Sequence, residues 1–315
     1  RIIFSNILEP VVVFAFISIG SILYLYSKAD GWHHTETALM IGLFSSFTIF
    51  RRRGILYRES YFTHHPVLDN LLPIGNIFPV TTLAVMSRLH FENLEITILD
   101  NTFTSTLAFF LLQIITGIFG GMLLNMLVSS AKTQESIAVI IIGGTAFFGG
   151  IAATFSFSPL FVGAVAGAFF INSTLKRLQV LEVLNSYQEY IEKIFMFCLG
   201  AMITPLFFIG KSTMFYIVAC SVGLFLTRAV LKYILCTLWI SRNLGEAGGP
   251  PILWIGLTGQ GILATGAVIE CSRHAQNFTA IFSLFMLLLI FNQIAIGVYV
   301  WLTEKDTRVE GNSDA

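Results

Sequence analysis

Phe215-Tyr-Ile-Val-Ala-Cys-Ser-Val-Gly-Leu-Phe-Leu-Thr-Arg-Ala-Val-Leu-Lys-Tyr-Ile-Leu235 is long enough to cross a bilayer as a helix, and it carries a cation, Arg228, in its interior. A cation in hydrocarbon costs at least ~2.5 kcal/mol on insertion scales, so such a residue is normally paired and points to function. The chain holds 18 Asp and Glu residues, yet none falls in the middle of a comparable apolar run.

The rest of the chain places this span in a membrane protein. Hydrophobic residues make up 55% and charged residues 11%, against about 25% charged in soluble domains. The mean hydropathy is +0.80. Ten segments are long and apolar enough to cross as helices: 8–27, 36–50, 66–89, 103–129, 135–154, 157–174, 191–209, 212–239, 250–270 and 278–302. The predicted fold is an all-α, multi-pass membrane protein. Segment 36–50 is short as a pure apolar run, so its helix either continues through Arg51, Arg52 and Arg53 or breaks there. Segment 174–190 is amphipathic at helical period and predicts a helix lying along the membrane surface. The charged, polar residues after Thr303 predict a disordered tail.

Basic residues orient the spans. With the N-terminus cytoplasmic and spans alternating, one side collects fourteen Lys and Arg, while the other receives only Lys28, Arg88, Lys211 and Arg273. The positive-inside rule then puts the C-terminus in the cytoplasm, of a plasma membrane or a bacterial inner membrane. A formal charge of zero gives no footprint for nucleic acid. Cys198, Cys220, Cys236 and Cys271 lack metal spacing, and the pairs His33-His34 and His64-His65 read as interfacial. No metal, cofactor or nucleophile–base set converges, so the sequence does not read as an enzyme.

Two spans read as interrupted helices, which transporters use to expose backbone groups at mid-depth. Ile255-Gly-Leu-Thr-Gly-Gln-Gly-Ile-Leu-Ala-Thr-Gly266 puts Gly256, Gly259 and Gly261 around Thr258 and Gln260. Gly42-Leu-Phe-Ser-Ser-Phe-Thr48 places Ser46 and Thr48 before the three arginines. In Leu71-Leu-Pro-Ile-Gly-Asn-Ile-Phe-Pro-Val-Thr-Thr82, Pro73 and Pro79 are expected to bend the helix, and Asn76, Thr81 and Thr82 are its polar side chains. Gly163-Ala-Val-Ala-Gly167, with Gly143-Gly144 and Gly149-Gly150 in the preceding span, reads as a close helix contact.

From about 130 to 302 the chain resembles the monovalent cation:proton antiporter-2 family of sodium/proton and potassium/proton exchangers. The resemblance rests on Gly149-Gly-Ile-Ala-Ala-Thr-Phe-Ser-Phe-Ser-Pro-Leu-Phe-Val-Gly-Ala-Val-Ala-Gly-Ala-Phe-Phe-Ile-Asn172, on Tyr190-Ile-Glu-Lys-Ile-Phe-Met-Phe-Cys-Leu-Gly-Ala-Met-Ile-Thr-Pro205 and on Gly256-Leu-Thr-Gly-Gln-Gly261, in that order. Ala38 to Thr48 is similar to the family's first broken helix. The segment from Pro66 to Thr81 resembles the helix that normally carries an acidic pair; in register, that pair falls on Phe78 and Pro79. Arg228 falls on the family's basic core position.

The resemblance implies an inverted-repeat antiporter fold with two broken crossing helices, ten of about thirteen spans being present and three preceding Arg1. It assigns 1–102 to the first three core spans, 103–129 to a linking span, 130–211 to part of a dimerisation scaffold with its surface helix at 174–190, 212–303 to the last three core spans and 304–315 to the tail. It implies a homodimer in the lipid bilayer that exchanges sodium or potassium for protons. Asn and Thr oxygens can coordinate a cation but do not titrate near neutral pH, so loss of the acidic pair implies impaired or altered proton coupling. Glu36, Asp69 and Asp100 lie at span edges and read as interfacial. Two other readings stay open: a transport-inactive regulatory relative, and an anion or organic-acid carrier using Arg228. The ion-path candidates are Arg228, Asn76, Thr81, Thr82, Ser46, Thr48, Thr258 and Gln260.

Overall fold

The computed structural model describes residues 2–26, 33–47, 76–89, 102–202, 211–235, 262–272, 282–292, 294–295 and 298, and every element among them is an α-helix. In chain order these are α1 (Ile2–Tyr26), α2 (His33–Ser46), α3 (Ile77–Leu89), α4 (Thr102–Ser130), α5 (Gln134–Thr154), α6 (Pro159–Ser173), α7 (Arg177–Met202), α8 (Lys211–Leu235), α9 (Ile262–Ser272) and α10 (Phe282–Asn292). Among the described residues, Thr106–Ser130, Gln134–Thr154 and Met214–Ile234 are long and apolar enough to cross a membrane. Pro10–Ile22, Ile77–Ser87, Pro159–Ser173 and Phe282–Asn292 are shorter apolar helices. The chain divides into two compact units, residues 1–79 with 203–315, and residues 80–202.

The second unit shows why these sequences fold as they do. Thr133 caps α5, its hydroxyl accepting from Ser136 N at 3.2 Å. Helix α5 ends where Phe157 N donates to Ala152 O (2.8 Å) and Ser156 N to Ala153 O (3.2 Å), with Ser156 left-handed at φ 59°. This is a Schellman end made with serine where glycine is usual. Phe157 then packs into a buried cluster with Phe109, Ala152 and Val162. Ser158 immediately caps α6, accepting from Phe161 N, and Pro159 occupies a first-turn position where its missing N–H costs nothing. Lys176 Nζ donates to the terminal carbonyls of α4, Val128 O (3.2 Å) and Ser129 O (2.9 Å), and to Ala131 O, opposing the negative end of that helix.

This unit buries apolar clusters and a polar side chain beside them, while other large apolar groups face outward. On α4, Gln113 is as fully buried as Val128, whereas Ile115 (60% exposed) and Met126 (72%) face outward. Gln113 Oε1 accepts from Ser158 N (3.0 Å) and its Nε2 donates to Ala84 O (3.2 Å), tying α3 and the start of α6 to α4. Large apolar groups outside and a satisfied amide inside are what a lipid solvent selects, because lipid tails attract apolar side chains as well as a core does.

Three local expectations change. Of the glycines expected at a close helix contact, Gly144 of α5 does press on Leu124, but the close approach to α6 is made by Gly117 and Gly121 of α4, whose added Cβ atoms would meet Val165 Cβ and Ala166 O at 2.7 Å. Gly163 and Gly167 of α6, which carry the same spacing, face open space. Pro79 does not bend α3: the helix starts at Ile77, so Pro79 sits in its first turn, where no intrahelical donor is lost. Helix α7 is continuous from Arg177 to Met202, so the amphipathic stretch and the apolar residues after it share one axis.

Candidate functional site

The site lies in the first unit, where α1 packs along α2, α1 also touches α8, and α2 packs against α9. The α1–α2 crossing is tight, since an added Cβ on Gly42 would fall 2.9 Å from Phe14 O. Phe44 stacks obliquely on Phe285 of α10 with centroids 4.4 Å apart. Ser221 Oγ of α8 donates to Ile217 O (2.8 Å) on its own helix and lies 3.1 Å from Leu284 O of α10.

These contacts bury the end of α2. Leu43, Phe44, Ser45, Ser46 and Phe47 are all at most 2% exposed. Ser45 and Ser46 turn their hydroxyls back onto the helix, donating to Ile41 O (2.8 Å) and Leu43 O (2.6 Å). A helix leaves its last carbonyls without intrahelical donors, and leaving such groups bare in a dry interior costs about 1–3 kcal/mol each.

Arg228 supplies the donors. It is fully buried, and its Nε donates to Ser45 O (2.9 Å), one terminal nitrogen to Phe47 O (2.8 Å) and the other to Asn292 Oδ1 (2.9 Å). Asn292 is itself held by donation to Leu288 O (2.9 Å), which fixes its oxygen toward Arg228. A planar guanidinium suits this task, because its fork presents several donors in fixed directions. The C-terminal end of a helix carries roughly half a negative charge, so the bonds also offset part of the arginine's charge. Arg228 thus ties α8, α2 and α10 together.

Helix α8 presents a polar face inward. Ser221, Arg228 and Lys232, at i, i+7 and i+11, are buried, whereas Phe215, Tyr216, Leu226 and Val230 are exposed. Lys232, one turn beyond Arg228, is 2% exposed. Glu270 of α9 is 7% exposed. Among the described residues, Arg228, Lys232 and Glu270 are the buried charged side chains.

Of the sequence candidates, the structure brings Arg228 to the buried end of α2, beside Ser46. Asn76 is buried at the turn that opens α3, and Thr81 and Thr82 are half-buried in that helix. At the register of the family's acidic pair, Phe78 meets the ring of Phe14 edge-to-face at 5.6 Å and Pro79 is buried. Thr48, Gly256, Thr258, Gly259, Gln260 and Gly261 lie outside the described residues. Sequence reasoning missed Asn292 and Glu270. The cost argument that singled out Arg228 would have found Asn292, which interrupts the apolar run Leu284-Phe-Met-Leu-Leu-Leu-Ile-Phe291. Glu270 was passed over because it ends its apolar run, whereas α9 continues to Ser272. No group of three or more His, Cys, Asp or Glu placed to hold a metal ion occurs among the described residues. Comparison with models of known families and with curated proteins finds no match.

Proposed function

We propose that this chain belongs to a multi-pass membrane transporter of the cation:proton antiporter type, with an ion site altered from the family's pattern. The observation that carries the reading is a helix end buried in the interior and held by a buried arginine from another helix. Non-helical backbone and bare helix ends at membrane depth occur where protein or a substrate path surrounds them, and paired discontinuous helices characterise secondary transporters. The order of motifs and the inward polar face of α8 support the same reading. The ten-span fold, the cytoplasmic C-terminus and the homodimer follow from it as parts of the proposal.

The geometry weighs against the anion-carrier alternative. Three of the guanidinium's donors point to Ser45 O, Phe47 O and Asn292 Oδ1, so an anion would have to displace bonds that stabilise the end of α2. Ligand-induced thermal stabilisation tests the choice, because a ligand that binds the folded state raises its melting temperature. Full-length protein in detergent should be stabilised by sodium or potassium over choline at constant chloride. Stabilisation by chloride or organic anions at constant cation, lost in Arg228→Ala, would select the anion carrier instead.

A further inference from the structure

An exchanger needs a group that accepts a proton and a cation in turn, and the third span offers none at Phe78 and Pro79. Glu270 provides one elsewhere. It is 7% exposed on a helix whose residues Ala264, Thr265, Ala267 and Val268 are all at most 1% exposed, so it is buried in the interior with the rest of that helix rather than at an interface. That helix, α9, packs against α2, whose terminus Arg228 clamps. The residue therefore lies in the same compact unit as the buried cations Arg228 and Lys232, on the helix packed against α2. Ionisable groups inside a membrane protein are costly and by default mark ion or proton paths.

We propose that Glu270 is the exchange carboxyl of this protein, binding either a proton or a monovalent cation; the assignment rests on the antiporter reading above. When sodium or potassium binds, the carboxylic acid gives its proton to water and the carboxylate takes the metal ion. The return of a proton releases the cation, so charge and atoms balance in both directions. The other titratable groups on the two packed helices are Cys271 on α9 and His33, His34 and Glu36 on α2, these three in the first turn of α2 and far along it from Ser46. Lys232 and Arg228 supply the fixed positive charge of the unit. A purely structural role predicts something different: Glu270 would serve only as the counter-charge of Lys232.

Infrared difference spectroscopy on the full-length protein in liposomes at mildly acid pH separates the two. Replacing choline by sodium or potassium should remove a protonated-carboxyl C=O band from the wild type, and Glu270→Gln should lack that band. Glu270→Asp, which keeps the acid but retracts it, should need about tenfold more cation to lose the band, the equivalent of one weakened charged contact. A wild type without a cation-sensitive carboxyl band, or the same band in Glu270→Gln, overturns the assignment. Should Glu270→Gln fail to fold, Glu270→Asp responding at the wild-type cation concentration overturns it equally. A cation response recovered in the Lys232→Met, Glu270→Gln double variant shows a counter-charge only, and also overturns it. The band with no exchange flux would leave Glu270 as a cation site and refute the antiporter reading alone.

Discussion

Arg228→Met removes the charge while keeping much of the side-chain length, and the structure sets what it should cost. Three acceptors lose their donor: Ser45 O, Phe47 O and Asn292 Oδ1, at 2.9, 2.8 and 2.9 Å. Each sits where water cannot replace the arginine, since Ser45, Phe47 and Asn292 are all fully buried. At about 1–3 kcal/mol for each of three buried unsatisfied groups, the gross loss is roughly 3–9 kcal/mol, reduced by the relief of no longer burying a cation. A net loss of about 3 kcal/mol is expected. Arg228→Lys should lose about half of that, because one ammonium retains the charge but cannot span three acceptors in a fixed fork. Denaturant titration of the purified protein in mixed micelles measures the loss, and hydrogen exchange over residues 38–47 locates it. The end of α2 should exchange faster in Arg228→Met, while α5 and α6 in the other unit stay protected. Wild-type stability with unchanged protection at α2 would refute the clamp.

Other substitutions probe the second unit. Gln113→Leu strands Ser158 N, while Ala84 O keeps the Ser87 hydroxyl as a donor, so it should cost about 1–3 kcal/mol and speed exchange at the first turn of α6. Gly121→Ala drives a Cβ to 2.7 Å from Ala166 O and should destabilise by about 1–3 kcal/mol, whereas Gly167→Ala meets nothing within 4 Å and should be neutral or gain up to about 1 kcal/mol from helix propensity. The two differ in sign in a single pair of melting curves, although both glycines belong to a small-xxx-small pattern. Ser156→Gly relieves a left-handed residue at the end of α5 and should raise stability by about 0.5–1 kcal/mol in the same measurement.

These outcomes trace how far the sequence could be read. Helices α4, α5 and α6 lie within a residue or two of their predicted spans because their signals are local: long apolar runs, with capping hydroxyls at Thr133 and Ser158 followed by Pro159. The end of α2 has no local breaker. It is satisfied by a side chain 183 residues away from Ser45, so only the fold reveals why the helix can stop there. The glycine patterns hold only in part for a related reason. They mark α6 and the glycine pairs of α5, but helix rotation decides which glycine meets a neighbour: Gly144 does, Gly163 and Gly167 do not, and Gly117 and Gly121 of α4 do. Arg228 was legible because burial cost alone singles out a cation in an apolar run. Glu270 was not, since at the edge of such a run the same residue fits an interface as well as an interior. Its 7% exposure makes that choice.

The central claim is that the protein exchanges a monovalent cation for protons. The most direct measurement is cation-evoked movement of protons in liposomes containing the full-length protein, followed with a pH-sensitive dye across a preset pH gradient. The account predicts that external sodium or potassium collapses the gradient, choline does not, and replacing chloride with a bulky anion changes nothing. A gradient indifferent to both cations, or one that collapses only with a permeant anion, would contradict it.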